Sequence, residues 1–498
     1  MPHFPHYARL LALLFCPLPA IAAERAVSRP GVLHLTHETA IQMALAKNFA
    51  IQVERFQPKI AREEVRAQWG AFDPVFDVQW SRREDTRRDN FTDSRVHLQS
   101  TNISREDEFS TGFGGLTPWG LRYDLGLGNR ELTGTANMWN ENFASTASGS
   151  LVQPLLRGFG TDANLSRVRV ARNNAFASEW ALRQRIIDTV TKTDFVFNEL
   201  HSAHESLLVA ERSRGLADRL FRDNEKRVKI GVKSPLDVTQ ARAEVAARAE
   251  GVILAQRVVR DNENFLKQLV TDDLESMLSV AVEIEPPPSP AFRADVPAGI
   301  RDALALRPDY QQALLSLRNR NIVLAFSRNA TLPRFDLTGS LALLGFDNDL
   351  GTSLDRTARR DQSVWTVGAI MSIPLGNRTA RAAETSAKFE VAQTLVQLQQ
   401  LEQQIVVDVD NASGQVVTSR ERIASTAEAR TLAFESLDAG EERLKAGVGT
   451  TFEVLELQKK LTEAAAAEIR ARADYNKAVA EYYRQTGTSL RVYRVAVE

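Results

Sequence analysis

The sequence predicts a mainly α-helical chain with a β-barrel portion, in which one plan of helix, strand, strand and helix occurs twice. The first observation is a duplicated helical reversal, "KIGVKSPLDVTQARAE" from Lys229 and "KAGVGTTFEVLELQKK" from Lys445. The second is a set of four segments of about ten residues that alternate between apolar and polar side chains, as membrane-crossing strands do. We therefore divide the chain into a first repeat, 24–284, a linker, 285–294, a second repeat, 295–487, and a tail, 488–498.

Residues 1–23 are predicted to be a signal peptide. Arg9 precedes an apolar run from Leu10 to Phe15, and "PLPAIAAE" then supplies small residues suited to signal peptidase. The one cysteine, Cys16, lies in this segment in a poor context for a lipoprotein, so its lipidation is the less favoured alternative. The exported chain then lacks cysteine, which excludes disulfides, thiolate metal sites and cysteine nucleophiles. A net charge of -1 gives no electrostatic reason to expect nucleic acid as a partner.

The alternating segments predict strands at about 75–83 and 143–153 in the first repeat, and at about 334–345 and 363–373 in the second. Alternation alone fits a pair of soluble hairpins equally well. Four strands cannot close a barrel, however, and lipid does not tolerate an open sheet edge. Insertion into a membrane therefore requires several chains to share one barrel, and three chains of four strands would supply twelve.

The first repeat carries an insertion between its strands. Pro74 and Pro333 are equivalent positions 259 residues apart, whereas Pro154 and Pro374 are 220 apart, so the first copy is longer by about 39 residues. The glycine-rich segment 109–130 of this insertion predicts an extra hairpin that turns at "TPWG". A phosphate-binding loop is the alternative, but neither a lysine-serine pair nor a helix follows the glycines.

Two helical hairpins are predicted, at about 161–270 and 377–486. Each lacks internal proline before its reversal, and each first helix is long enough to extend roughly 100 Å. In the second hairpin, apolar residues recur at spacings of four and three from Val391 to Ile423, with Glu402 as the one polar member. This spacing predicts a coiled-coil seam.

The two reversals share their stop and start signals. Each first helix ends in cationic residues followed by a glycine, Gly231 or Gly447, which predicts a left-handed residue at the helix end. Three residues later a hydroxyl side chain, Ser234 or Thr450, predicts the N-cap of the next helix, with an acid three positions further on. Both stretches are therefore predicted to be tight turns between helices.

The order of these elements resembles the TolC family of outer-membrane efflux channel proteins over nearly all of the mature sequence. The resemblance is carried by the duplicated openings around Pro74 and Pro333, by "QPLLRGFG" from Gln153, and by the paired reversals. It implies a homotrimer with a twelve-strand barrel in the cell outer membrane, continuous with a long periplasmic α-helical coiled-coil barrel. It also implies a passive exit duct for efflux or type I secretion, docked to a periplasmic adaptor, also called a membrane fusion protein, and driven by an inner-membrane transporter. The extra hairpin departs from the simplest pattern of the family.

The resemblance also implies two kinds of site at the reversals. The hairpin tips would contact the adaptor through Gly231, Val232, Ser234, Gly447, Val448 and Thr450. The acids just inside the tips would line the pore constriction: Glu453, Glu456 and Asp237, which is the first-copy equivalent of Glu453. The alternative is a local role, in which the tip residues only punctuate helices and Glu453 completes a capping box. Gln240 stands opposite Glu456 in the first copy, so the turn itself does not require the second acid.

No enzyme chemistry and no cofactor are predicted, because no nucleophile-base pair or catalytic carboxylate constellation is evident. His201 and His204 lie within one helical turn, but no third ligand is evident, so we predict no metal site. Two alternatives to a duct remain. A periplasmic adaptor should have one hairpin flanked by small β domains, and a structural coiled-coil spacer should lack the alternating strands.

Overall fold

The computed structural model describes residues 31–93, 96–135, 138–288 and 292–495. The predicted signal peptide, 1–23, lies outside these residues, as do parts of the predicted linker and tail.

The elements of the described residues follow the chain in two series. The strands are β1 (Val32–Leu35), β2 (Val75–Asp93), β3 (Val96–Leu116), β4 (Arg122–Gly134), β5 (Asn142–Pro154), β6 (Ala281–Ile284), β7 (Arg334–Asp347) and β8 (Gln362–Ser372). The helices of the first repeat are α1 (His37–Lys47), α2 (Phe49–Glu54), α3 (Phe56–Trp69), α4 (Thr161–Asn164), α5 (Ser166–Lys229), α6 (Pro235–Val270) and α7 (Leu274–Met277). Those of the second are α8 (Val296–Leu306), α9 (Pro308–Ala330), α10 (Leu350–Arg359), α11 (Arg378–Lys445), α12 (Thr451–Gln485) and α13 (Ser489–Val492).

Both repeats place short helices before a strand and a long helix after the last strand. α5 has 64 residues and α11 has 68, which corresponds to roughly 100 Å each. α6 packs along α5, α12 packs along α11, and contacts between α5 and α12 join the two hairpins. α3 and α9 lie beside α5 and α11 at the end of the helical region that leads into the sheet.

The predicted seam of α11 forms the core of the second hairpin. Ile405, Val409 and Val416 are buried against side chains of α12 that include Tyr475 and Val479. The polar member of the seam, Glu402, is half-buried and accepts a hydrogen bond from the Tyr310 hydroxyl of α9 at 2.8 Å. Nearer the sheet, Leu395 is exposed.

A short parallel pair of strands, which no sequence pattern predicts, joins the start of the described chain to the end of the first repeat. β1 pairs with β6 in the register Val32 to Ala281 through Leu35 to Ile284. Leu35 and Val282 join a buried cluster with Phe197 and other residues of α5 and α6. The pair thereby anchors both segments to the first helical hairpin.

The main sheet has six strands in the order β2-β3-β4-β5-β7-β8, and every neighbouring pair is antiparallel. The count of four strands per chain is therefore wrong for this chain. The segment predicted as an extra hairpin at 109–130 does turn where expected, since Thr117 and Leu121 close the turn with a 2.8 Å hydrogen bond. Its strands are β3 and β4, which lie inside the sheet between β2 and β5, an arrangement that the sequence leaves open. β2 also continues to Asp93, well past the predicted end near residue 83.

One face of this sheet is apolar across all six strands. The strand registers align on this face Phe76, Val78 and Trp80 of β2, Phe109 and Phe113 of β3, Leu125 and Leu127 of β4, Leu151 of β5, Leu337, Leu341 and Leu343 of β7, and Trp365, Val367 and Met371 of β8. The opposite face carries small and polar residues, among them Gln79, Ser110, Gly126, Ser148 and Thr366. At one end of the sheet, α10 packs on the apolar face, where Thr357 donates a hydrogen bond to the carbonyl of Ser145 at 3.1 Å.

Candidate pore and docking site at the helical tips

The two reversals, at the far end of the helical region from the sheet, have the same backbone geometry. Gly231 and Gly447 both have a φ of 81°, the left-handed conformation that the sequence predicts. In the first tip Val232 N–H donates to the Arg227 carbonyl, and in the second Val448 N–H donates to the Arg443 carbonyl, at 2.9 and 3.1 Å. Each helix therefore ends in a Schellman motif, which satisfies carbonyls that would otherwise lack partners.

The first tip closes with a complete capping box. The Ser234 hydroxyl accepts a hydrogen bond from the N–H of Leu236 at 3.2 Å, and the Asp237 carboxylate accepts one from the N–H of Ser234 at 3.2 Å. Lys233 lies 3.8 Å from the same carboxylate. Asp237 is thus held by its own turn, as the capping alternative expects.

The second tip uses its acid differently. The Thr450 hydroxyl accepts a hydrogen bond from the N–H of Glu453 at 3.1 Å, which is the cap that the sequence predicts. The Glu453 carboxylate does not return to the N-cap; it accepts a hydrogen bond from the Arg443 guanidinium at 2.8 Å. The interpretation of Glu453 as the second half of a capping box is therefore wrong, because a cationic side chain of the preceding helix takes its carboxylate.

Glu453 and Glu456 point away from the packing of their own chain. Thr451, Val454, Leu455 and Gln458 form the buried side of the first turns of α12. At 3.6 residues per turn, Glu453 and Glu456 lie together on the opposite side of this helix. Both are half-exposed, and within the part of the chain that the structure describes no hydrogen bond or ion pair engages Glu456.

The two tips of one chain are bound to each other. The Arg227 guanidinium donates to the carbonyl of Leu444 at 3.2 Å, so the end of α5 caps the end of α11. Lys233 and Asn224 both donate to the hydroxyl of buried Thr451, at 3.3 and 3.4 Å. Below these contacts, Leu220, Leu437, Leu444, Val454 and Leu455 form a buried cluster. The tips therefore form one surface.

This surface is apolar at its most exposed points. Val232 and Val448, both predicted to be contact residues, are 67% and 71% exposed. The structure adds three largely exposed apolar side chains that are not among the predicted contact residues: Ile230, Leu236 and Phe452. Leu236 and Phe452 occupy equivalent positions in the two copies, so a comparison of the duplicated turns for shared apolar residues would have found them.

The two histidines lie on the shaft of α5, away from the tips. Burial lowers the pKa of His201 below its ordinary value, against the opposing effect of the Glu205 carboxylate. His204 lies 3.8 Å from the Glu263 carboxylate of α6. Among the residues described, no cluster of three or more His, Cys, Asp and Glu side chains could hold a metal ion. Within the same residues, no helix is both long enough and apolar enough to span a bilayer.

Comparison with known proteins identifies the family. The family model described as outer membrane efflux protein matches residues 120–271 and 299–488, more than half of the chain. The chain belongs to the outer membrane efflux protein family. The matched ranges include both helical reversals and the strands β4, β5, β7 and β8.

Individual relatives agree with this family. The chain is 24% identical over 333 residues to the outer membrane efflux protein BepC of Brucella suis, covering 66% of this chain and 69% of BepC. It is 25% identical over 287 residues to the probable efflux pump outer membrane protein TtgC of Pseudomonas putida, covering 57% of this chain and 55% of TtgC. The solved outer membrane channel CmeC of Campylobacter jejuni matches with a TM-score of 0.66 at 16% identity, covering 91% of this chain and 86% of CmeC. VceC of Vibrio cholerae matches with a TM-score of 0.65 at 15% identity, covering 91% and 96%.

These findings confirm the prediction of an outer-membrane efflux channel over that of a periplasmic adaptor. The protein is located in the cell outer membrane, and its helical part is periplasmic. The solved channels establish the fold, a mostly helical chain with a sheet portion. The helical tips are then the periplasmic end of the molecule, farthest from the membrane.

Proposed function

We propose that three copies of this chain form a passive exit duct for an inner-membrane transporter, which the tips reach through a periplasmic adaptor. The observation that carries the proposal is the surface formed by the two tips, in which duplicated turns are tied to each other and present apolar and acidic side chains. In this proposal the energy for transport comes from the transporter. Lysine-directed cross-linking of outer-membrane fractions should trap three chains, and a stable membrane-inserted monomer would contradict the trimer.

The adaptor contact is proposed at the exposed tip residues. Val232 and Val448 project from their turns, and Gly231 and Gly447 have open space around the position of a side chain. Ser234 and Thr450 hold the turns in shape through their caps. A small, partly apolar surface of this kind suits docking of the end of another helical hairpin, because close approach removes apolar area from water.

The pore constriction is proposed at Glu453 and Glu456. Threefold symmetry would bring three copies of each to one mouth, since both lie on the side of α12 that faces away from the buried core of its own chain. Six carboxylates in a small volume repel one another and attract cations, although Arg443 offsets part of the charge of each Glu453. Asp237 adds negative charge nearby but stays held by its capping box.

The constriction is tested with purified protein in planar bilayers. We expect a cation-selective channel that divalent or trivalent cations block from the periplasmic side. The double variant Glu453→Gln, Glu456→Gln should lose most of this block, and it leaves the Thr450 cap untouched because that cap uses only the backbone of Glu453. Glu250→Gln together with Glu275→Gln removes the same charge from exposed positions elsewhere and should leave the block unchanged.

A further variant separates the two acids. Arg443→Met removes the cation that pairs with Glu453, so block by trivalent cations should become several-fold tighter. If cations block the channels of Arg443→Met and of the double glutamine variant as they block the unaltered channel, the acids do not line the constriction.

The cargo is proposed to be small organic molecules. TtgC and ArpC of Pseudomonas putida, each 25% identical over 287 residues, are named as toluene and antibiotic efflux pump outer membrane proteins. A strain that lacks this chain should become more sensitive to toluene and to antibiotics. Unchanged sensitivity together with loss of a secreted polypeptide would favour type I secretion.

A further inference from the structure

We propose that the edge strands β2 and β8 pair with the edge strands of further copies of this chain, so that three chains close an eighteen-strand barrel. The inference rests on the proposed trimer and departs from the twelve strands that four per chain would supply. Because barrel diameter grows roughly linearly with strand number, the barrel would be about half again as wide.

The two added strands belong to the bilayer-spanning part of the sheet. On the apolar face, Phe113 of β3 pairs with Phe76 of β2 on one side and with Leu125 of β4 on the other. Phe113 and Leu125 are 43% and 54% exposed in the single chain. An exported hairpin standing in water has no reason to carry such residues in register with the strands beside it, whereas lipid requires them.

The outer limit of this apolar face is the same on β2 and β3. Trp80 pairs with Phe109 across the two strands. The next positions on the same face are charged: Arg82 lies 3.7 Å from Asp107, and Arg105 lies 3.0 Å from Glu84. Aromatic side chains followed by ion pairs mark the boundary between hydrocarbon and water in membrane barrels.

The strand stagger fits a barrel segment of six strands. Val75 at the start of β2 is equivalent by duplication to Arg334 at the start of β7. When the paired residues are followed from Val75 across β3, β4 and β5, however, the residue reached on β7 is Ser340. The shift of six residues is about 20 Å along the strands, over four strand spacings of about 19 Å in total. If equivalent positions lie at equal height, the strands tilt by about 45°, within the range of closed barrels.

The two free edges are complementary. Within the described residues, β2 and β8 each have a strand neighbour on one side only. β2 runs away from the helices and β8 runs back toward them, so β8 of one chain and β2 of the next would be antiparallel like every other pair in the sheet. Lipid does not tolerate an unpaired edge, and a head-to-tail contact of this kind closes a ring when repeated by rotation.

Engineered cysteines test the seam, since Cys16 of the predicted signal peptide is the one cysteine of the chain. Gln79→Cys on β2 is combined in turn with Thr366→Cys, Gly368→Cys and Ile370→Cys on β8, all on the polar face. Directly opposed residues of antiparallel strands lie within the Cα separation that a disulfide allows. In outer-membrane fractions, at least one pair should give covalent dimers and trimers, and each single variant should give none.

Fluorescent labelling of single cysteines tests the added strands independently. A dye on Leu125→Cys should be quenched at least twofold more by a lipid-soluble quencher than a dye on Gly126→Cys, the adjacent position on the polar face. Equal quenching, or no disulfide in any register while lysine cross-linking still traps three chains, would overturn the eighteen-strand barrel and leave the trimer standing. Failure of lysine cross-linking would instead contradict the proposed trimer.

Discussion

The two helical tips of this protein share a backbone and differ in the use of one carboxylate. Both helices end in the same left-handed glycine and restart at a hydroxyl N-cap. Asp237 stays within its turn and caps Ser234, whereas Glu453 pairs with Arg443 of the preceding helix. A duplicated turn can therefore keep its shape while one copy releases its acid for another role, since the hydroxyl cap alone suffices to start the helix.

The largest expected effect comes from disrupting the left-handed glycine turn that the two tips share. Gly231→Val and Gly447→Val each force a β-branched residue into φ 81°, at a cost of about 1–2 kcal/mol or more, although open space surrounds both positions. We expect either variant to reduce efflux to the level of a deletion strain while the protein remains in the outer membrane.

The matched control for these variants is Gly251→Val, a glycine of α6 that also has open space around it but no positive φ. It should retain efflux. Full activity in both tip variants would show that the turns are not the docking surface, and loss in only one would show that the two tips are not equivalent in docking.

A smaller effect should expose the difference between the tips. Asp237→Ala removes an acceptor from the N-cap, which corresponds to about 1 kcal/mol and roughly fivefold faster amide exchange in the first turn of α6. Glu453→Ala removes only a partly exposed ion pair and should raise exchange in the first turn of α12 by about twofold or less. Hydrogen-exchange mass spectrometry measures both, and equal changes would mean that Glu453 acts as a cap after all.

The smallest effect concerns the long helices away from the tips, where a carboxylate of the first hairpin contacts the second hairpin. Glu199 of α5 accepts hydrogen bonds from Lys477 at 2.9 Å and Arg470 at 2.5 Å, both on α12. Burial raises the pKa of Glu199, but these two cations outweigh burial and hold the pKa below its ordinary value of 4.5. The contribution to stability is therefore present above pH 4.5 and is lost as the pH falls through the lowered pKa.

Glu199→Gln should accordingly lower the melting temperature at pH 7 by about 1 °C at most, since a partly exposed pair contributes about 1 kcal/mol at most and the entropy of unfolding of a chain this long is about 1 kcal/mol/K. The difference from the unaltered protein should shrink steadily below pH 4.5. Glu205→Gln, six residues further along α5, has no ion pair within the described chain and serves as the control. A difference that persists undiminished in acid would show that the link between the shafts is not electrostatic.

The features that sequence predicts well are those decided by neighbouring residues. Gly231, Ser234 and their counterparts predict the turns because a left-handed φ and an N-cap each favour particular residue types at one position of the sequence. The partner of Glu453 could not be predicted, because the capping N–H and Arg443 compete and only the relative position of two helices decides between them.

The prediction of how many strands join the sheet was wrong for a related reason. The glycine-rich segment predicts a hairpin correctly, but nothing local shows whether its outer edges pair with β2 and β5 or remain free. The parallel pair β1 and β6 joins four-residue segments that lie far apart in sequence, which is too short for any periodic signal. The site residues Gly447, Val448 and Thr450 lie where the turn predicts them, and their contact with an adaptor stays a prediction.

The number of strands also decides how the sheet meets the helices. At the junction each chain contributes four helices, α3, α5, α9 and α11, which at about 8–10 Å apart occupy an arc of about 32–40 Å. Six strands tilted by about 45° occupy an arc of about 41 Å, whereas four would occupy about 27 Å. In the proposed barrel, six strands would therefore match the perimeter of the helices more closely than four, so that the wall of the duct would continue from the sheet to the helices with little change in width.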